Sequence, residues 1–173
     1  MNRSPLRISV TNILLSLAAV GLAAVLNGCA FQLRGQSALP FTAAYVDAAD
    51  ASNLAGALRR ALSSQQKLAP QREAAPVRIR LDKESHSKTI LALSGGGKVR
   101  EYRLEYRVRL SLFDATGAAL AEPAEIYLSN DFSYSDAQVL AKEAEEASLN
   151  RAMEQDALRQ ILRRLSYLNV KPQ

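Results

Sequence analysis

Hydrophobic positions change their period along the chain, and each change marks an element. Residues 41–46 form a short run with Tyr45 and Val46, which reads as a weak strand. Leu54, Leu58, Ala61, Leu62 and Gln65 then fall at helical spacing, with only the last interrupting an apolar stripe and with Arg59 and Arg60 on the wet side. Asp50 and Ser52 precede this helix, where a side-chain oxygen can accept from its free N–H groups.

Beyond the polar, proline-containing stretch 70–76, the period falls to two. Val77, Ile79 and Leu81 alternate with Arg78, Arg80 and Asp82, and the same odd phase is expected to resume at Leu91 and Leu93. Ser94-Gly95-Gly96-Gly97 is a turn signal. In the next strand Tyr102, Leu104, Tyr106, Val108, Leu110 and Leu112 face one side, while Glu101, Arg103, Glu105, Arg107, Arg109 and Ser111 face the other. Asp114 to Ala118, with Gly117, makes another turn, and Ile126, Leu128, Phe132 and Tyr134 share one phase of a third long strand. Residues 135–168 read as a long helix capped by Ser135 or Asp136, with Arg159, Arg163 and Arg164 suiting the negative end of its dipole. Its apolar stripe is interrupted, with Leu140, Ala144 and Ala147 at one end, Leu158, Ile161, Leu162 and Leu165 at the other, and Met153 and Ala157 off to one side in between.

One apolar and one polar face on each strand imply a sheet covered on one side only. The order β-α-β-β-β-α gives an α+β fold: a two-layer sandwich in which two helices pack on one face of a four-stranded, mostly antiparallel sheet.

Residues 1–28 read as a signal peptide: Arg3 and Arg7, then an apolar run at 13–26 broken only by Ser16. That run is short beside the roughly 20 residues a spanning helix needs. Residues 29–40 are read as a linker, and 41–173 as the single sandwich domain. The leader takes two of the 22 lysines and arginines and none of the 17 acids, so 20 against 17 leave the remainder at +3. Such a balance, with no aromatic side chains sharing the face of Arg103, Arg107 and Arg109, argues against a nucleic-acid platform.

Enzyme chemistry finds little to work with. His86 is the only histidine and Cys29 the only cysteine, so neither a zinc cluster nor an intramolecular disulfide can form. No HExxH, GxSxG, phosphate-loop or paired-carboxylate pattern occurs. His86, between Ser85 and Ser87, reads as an exposed residue on the polar phase of its strand, and the three glycines join two strands with no helix behind them. We therefore expect no enzyme.

What rises above background is a basic zone beside the glycine turn. Lys98 and Arg100 share the phase of Tyr102 and Leu104, giving a face that runs from cationic at the tip to apolar further in. That pattern matches an amphiphile with anionic head groups; a solvated tip that discourages edge pairing reads the same residues equally well.

Two resemblances sharpen the picture. Leu26-Asn27-Gly28-Cys29 resembles the lipobox of bacterial lipoproteins, with Asn27 in place of the usual small residue. It implies that Cys29 carries a covalent diacylglycerol and an N-linked acyl chain such as palmitate, several chains being enough for stable anchoring. Ala30, rather than Asp, follows the cysteine, which implies the periplasmic face of the outer membrane. Cys29-Ala30-Phe31-Gln32-Leu33-Arg34-Gly35 resembles the mature start of the LptE family of lipopolysaccharide-assembly lipoproteins. Leu54-x-x-x-Leu58-Arg59-x-x-Leu62, Glu101-Tyr102, Leu140-Ala141-Lys142-Glu143 and Arg163-Arg164-Leu165 follow in the family's order.

The LptE resemblance implies a non-enzymatic outer-membrane lipoprotein without a cofactor beyond its acyl chains. Such a protein binds lipopolysaccharide and plugs the β-barrel LptD, so that the two deliver lipopolysaccharide to the outer leaflet. It also implies lipopolysaccharide binding by Lys142, at the start of the last helix, and by a basic hairpin tip. Here that tip is Ser94 and three glycines, so the tip's role would fall to Lys98 and Arg100. A stand-alone periplasmic lipid-binding lipoprotein, or a structural subunit of another envelope machine, fits the residues as well.

Overall fold

The computed structural model describes residues 39–168. The signal peptide, the Cys29 anchor, the linker up to residue 38 and the Phe31-Gln32-Leu33-Arg34-Gly35 run lie outside the described residues. Strand β1 (Ala44–Asp47) is followed by α1 (Asn53–Ser64), β2 (Val77–Leu93), β3 (Val99–Asp114) and β4 (Ala119–Ser133). A 3-10 turn (Asp136–Gln138) then leads into α2 (Val139–Ser166). The sheet order is β1-β2-β3-β4. β1 runs parallel to β2, while β2–β3 and β3–β4 are antiparallel. This is the expected β-α-β-β-β-α sandwich, in which α1 supplies the crossover that a parallel pair requires.

Local chemistry explains most boundaries. Ser52 accepts from the Ala55 N–H at 3.0 Å and caps α1. Leu54, Leu58 and Leu62 of α1 are buried with Val77, Ile79, Tyr106, Val108 and Ile161 in one core. Burying each such leucine contributes about 1.5–3 kcal/mol relative to exposure. In β3 the alternation is kept: Leu104, Tyr106, Val108 and Leu110 are all buried. Pro123 sits on β4, an edge strand, where the register with β3 slips between Leu110 and Leu112; there its missing N–H costs no ladder bond.

The structure departs from the sequence pattern at both ends of α2. The start is a 3-10 turn, and neither Ser135 nor Gln138 makes a side-chain cap bond. Asp136 does not cap but turns its carboxylate to Lys98, at 3.3 Å. Further along, Met153 and Ala157, expected to one side, are buried in line with Ile161 and Leu165. Leu140, expected on the stripe, is 82% exposed. Spacing of four residues places 153, 157, 161 and 165 on one face, and that face meets the sheet.

Each hairpin turn contains a left-handed glycine, Gly97 (φ 77°) or Gly117 (φ 94°), and is closed by a backbone bond, from Ser94 N–H to the Lys98 carbonyl and from Asp114 N–H to the Ala118 carbonyl. Asp114 locks the second loop, its Oδ1 accepting from the Thr116 hydroxyl and from the N–H groups of Thr116 and Ala118. These bonds, the hydroxyl first, hold the Asp114 carboxyl below the usual range. A Cβ on Gly117 would lie 3.0 Å from the Arg78 guanidinium, whereas one on Gly96 would meet open space. Gly117→Ala is accordingly expected to destabilise by about 1–2 kcal/mol. Gly96→Ala should stay within about 0.5 kcal/mol in chemical denaturation. Equal losses would contradict the assigned loop geometry.

Candidate functional site

The long strands outrun the apolar cover supplied by the helices. β1 pairs with β2 only at residues 77–80, and no residue of α2 before Met153 is buried. Toward the β2–β3 turn the helix-side face of the sheet therefore carries a different population of side chains.

A bulge in β2 decides which ones. Between Asp82 and Ser85 the strand holds one residue more than β3 opposite it, and Lys83 takes a positive φ of 53°. The extra residue inverts the alternation: Leu81 pairs with buried Leu110, but beyond the bulge it is His86 and Lys88 that pair with buried Tyr106 and Leu104. The odd phase does not resume, and Leu91 and Leu93 are exposed. His86 is turned off the polar phase: its ring centroid lies 4.6 Å from that of Tyr106, and its Nε2 lies 3.3 Å from Glu154 on α2. Tyr106 donates to Glu84 at 2.7 Å. Burial, followed by that bond, keeps its phenol protonated far above the usual tyrosine range.

Lys88 gains a distinctive seat. Its Nζ lies 4.2 Å from the centroid of Tyr102 and 5.6 Å from that of Phe132, a cation over two stacked rings, and 2.5 Å from Glu146 of α2. Tyr102 stacks on Phe132 at 5.8 Å and meets Tyr134 edge-on at 5.2 Å.

The three basic residues singled out from the sequence come to this same end. Lys98, on the turn, bridges to Asp136. Lys142 has a side chain only 14% exposed and donates to Ser133 Oγ at 3.2 Å and to Glu145 at 2.8 Å. Arg100 is fixed through its backbone, its carbonyl accepting from Tyr134 N–H at 2.8 Å. Around them Ile90, Leu93, Val139 and Leu140 stand exposed. The sequence reading had missed Lys88 and this apolar rim. The lysine's signal is hidden by the bulge, and of the rim's residues Leu93 and Leu140 fall on phases that predict the core.

Cations beside aromatic rings and exposed aliphatic side chains can engage both halves of an anionic amphiphile: charge-assisted bonds for the head group, apolar surface for the chains. The opposite face of the sheet is different. Arg103 forks onto Asp131 at 2.7 and 2.8 Å, and Arg107 lies 3.3 Å from Glu125. Tyr127 donates to Glu105 at 2.6 Å. The Arg103 bond holds Asp131 below the usual carboxylate range, and the Tyr127 bond does the same for Glu105. These cations are matched by carboxylates across the strands, as expected for a wet face. Among the described residues no group of three or more His, Cys, Asp or Glu could hold a metal, and no helix is long and apolar enough to cross a membrane.

Comparison with known proteins adds to this geometry. A family model described as LptE, lipopolysaccharide-assembly, matches residues 40–165. The solution structure of lipoprotein B from Nitrosomonas europaea is similar, at 41% identity and TM-score 0.69, over 79% of this chain and 90% of that one. Rare lipoprotein B from Shewanella oneidensis matches at 25% identity and TM-score 0.61, over 71% and 92% of the two chains. A minor lipoprotein from Acinetobacter baumannii shares the fold at 21% identity and TM-score 0.61, over 78% of this chain and 100% of that one. No curated protein sequence matches.

Proposed function

Since the chain belongs to the LptE, lipopolysaccharide-assembly family, we propose that it is an outer-membrane lipoprotein, anchored through acyl chains on Cys29 at the periplasmic face. In this reading it binds lipopolysaccharide and assembles with an LptD-type β-barrel, plugging the barrel so that lipopolysaccharide reaches the outer leaflet. The family is one of non-enzymatic lipoproteins, and the relatives from Nitrosomonas and Shewanella are lipoproteins too.

The observation that carries the ligand half of this reading is the amphiphilic end of the sandwich. There Lys88 lies over Tyr102 and Phe132, Lys98 reaches Asp136, Lys142 reaches Ser133 at the end of β4, Arg100 is bonded through its carbonyl to Tyr134, and Ile90, Leu93 and Leu140 are exposed. Lipid A joins phosphates to acyl chains, and this end offers a partner for each. The barrel half rests on the family, and the charge-paired far face is compatible with a polar barrel interior.

An affinity pull-down of the tagged protein from detergent-solubilised outer membranes is expected to recover a stoichiometric LptD-type barrel. Depleting the protein should lower the amount of correctly assembled barrel. Normal barrel assembly without it would overturn the partnership, and recovery of the protein alone would favour a stand-alone lipid-binding lipoprotein.

A further inference from the structure

Three of the cations at the amphiphilic end are already occupied, and all three occupants sit on one short segment. Lys98 faces Asp136, Lys142 faces Glu145, and Lys88 faces Glu146. Two of these pairs, Lys98–Asp136 and Lys88–Glu146, bridge from the β2–β3 hairpin to the 3-10 turn and the first part of α2. Lys142 adds a third tie, to Ser133 at the end of β4.

Attachment of α2 is therefore of two kinds. Its second half is held by burial of Met153, Ala157, Ile161 and Leu165. Its first half has no fully buried residue: Leu149 packs partly against the core, and the rest is held by polar bridges whose members are partly exposed. Bridges of that kind are individually weak and are screened by salt. Near these bridges lies the stacked Tyr102–Phe132 pair, an apolar surface continuous with the core.

We propose that Asp136, Glu145 and Glu146 hold the places of a ligand's phosphates, so that a phosphorylated amphiphile binds by exchange. The phosphates displace the carboxylates from Lys98, Lys142 and Lys88, and residues 139–152 lift from the sheet while acyl chains cover Tyr102 and Phe132. A phosphate group carries more charge than a carboxylate and has three strong acceptor oxygens, so the exchange favours the ligand. Met153 and the buried residues after it form the hinge end, which stays packed. This inference rests on the reading of the chain as a lipopolysaccharide binder.

The test uses the full-length chain in phosphatidylcholine nanodiscs, titrated with purified lipopolysaccharide. Asp136→Asn, Glu145→Gln and Glu146→Gln are near-isosteric and remove only charge. Together they are expected to tighten binding, by roughly two- to fivefold for each carboxylate, the strength of an exposed ion pair. The same neutralisation at Glu105, Glu125 and Asp131, on the far face, should leave affinity where it is. Hydrogen exchange at residues 139–152 should quicken in the first variant and in lipopolysaccharide-bound wild type, with residues 153–166 unchanged. Unchanged or weaker binding by the first variant, or equal tightening by the far-face set, overturns the exchange while leaving lipopolysaccharide binding intact. Absence of binding by wild type and variant alike overturns both. Tighter binding without faster exchange at 139–152 overturns the lifting of the helix.

Discussion

Ile161→Ala is expected to destabilise the domain by about 2–5 kcal/mol, while Leu140→Ala should change stability by less than about 0.5 kcal/mol. Ile161 is fully buried on the face where α2 meets the sheet, and its core neighbours Tyr106, Val108 and Ile126 belong to a sheet that cannot collapse onto a cavity. β3, which carries Tyr106 and Val108, is held by ladder bonds on both sides and yields little, so the lost transfer energy is joined by a cavity cost. Leu140 is 82% exposed, so truncating it removes almost no burial. Thermal unfolding should separate the two, at about 3–6 °C for each kcal/mol in a domain of this size. Comparable losses at both positions would mean that the apolar stripe of α2 runs through Leu140 and that the observed helix face is wrong.

The contrast between these two residues shows where a sequence is legible and where it is not. β3 could be read residue by residue, because its apolar phase runs from half-buried Tyr102 through Leu104, Tyr106, Val108, Leu110 and Leu112, all of them buried. α1 was equally plain, with Ser52 as its cap and Leu54, Leu58 and Leu62 as its stripe. β2 could not be read past Asp82: Lys83 in a left-handed conformation is neither a glycine nor an asparagine, so nothing in the sequence announces the bulge that brings Lys88 onto the helix side. In α2 the failure has a physical cause of another kind. Continuing the buried face back from Met153 in steps of four, three and four leads to half-buried Leu149, Glu146 and Lys142, whereas Val139 and Leu140 are turned out to solvent. Where inward positions are charged and outward positions apolar, a rule that sends apolar side chains to the core must fail. Such inversions are expected at sites kept for something other than stability.

Reversing the charge of Lys88 and Lys142 together is expected to weaken lipopolysaccharide binding by about a hundredfold or more, since each charge-assisted bond to a phosphate is worth about 1.5–3 kcal/mol. Lys142 is held by Ser133 and Glu145, and Lys88 by the Tyr102 and Phe132 rings and Glu146, so both ammonium groups are positioned before any ligand arrives. Lys88→Glu would place its carboxylate beside Glu146 and against the ring faces, whose negative potential repels it. Lys142→Glu adds another carboxylate next to Glu145. The end of the molecule would then repel phosphates. Stability should suffer much less, because the pairs lost are partly exposed and contribute about 0.2–1 kcal/mol each. Arg103→Glu on the opposite face serves as the control: it breaks the fork onto Asp131 and should leave binding untouched. If the double variant folds and binds as the wild type does, the cations at this end do not hold the ligand. If Arg103→Glu weakens binding as much as the double variant, the attraction comes from the molecule's overall charge rather than from an assembled site.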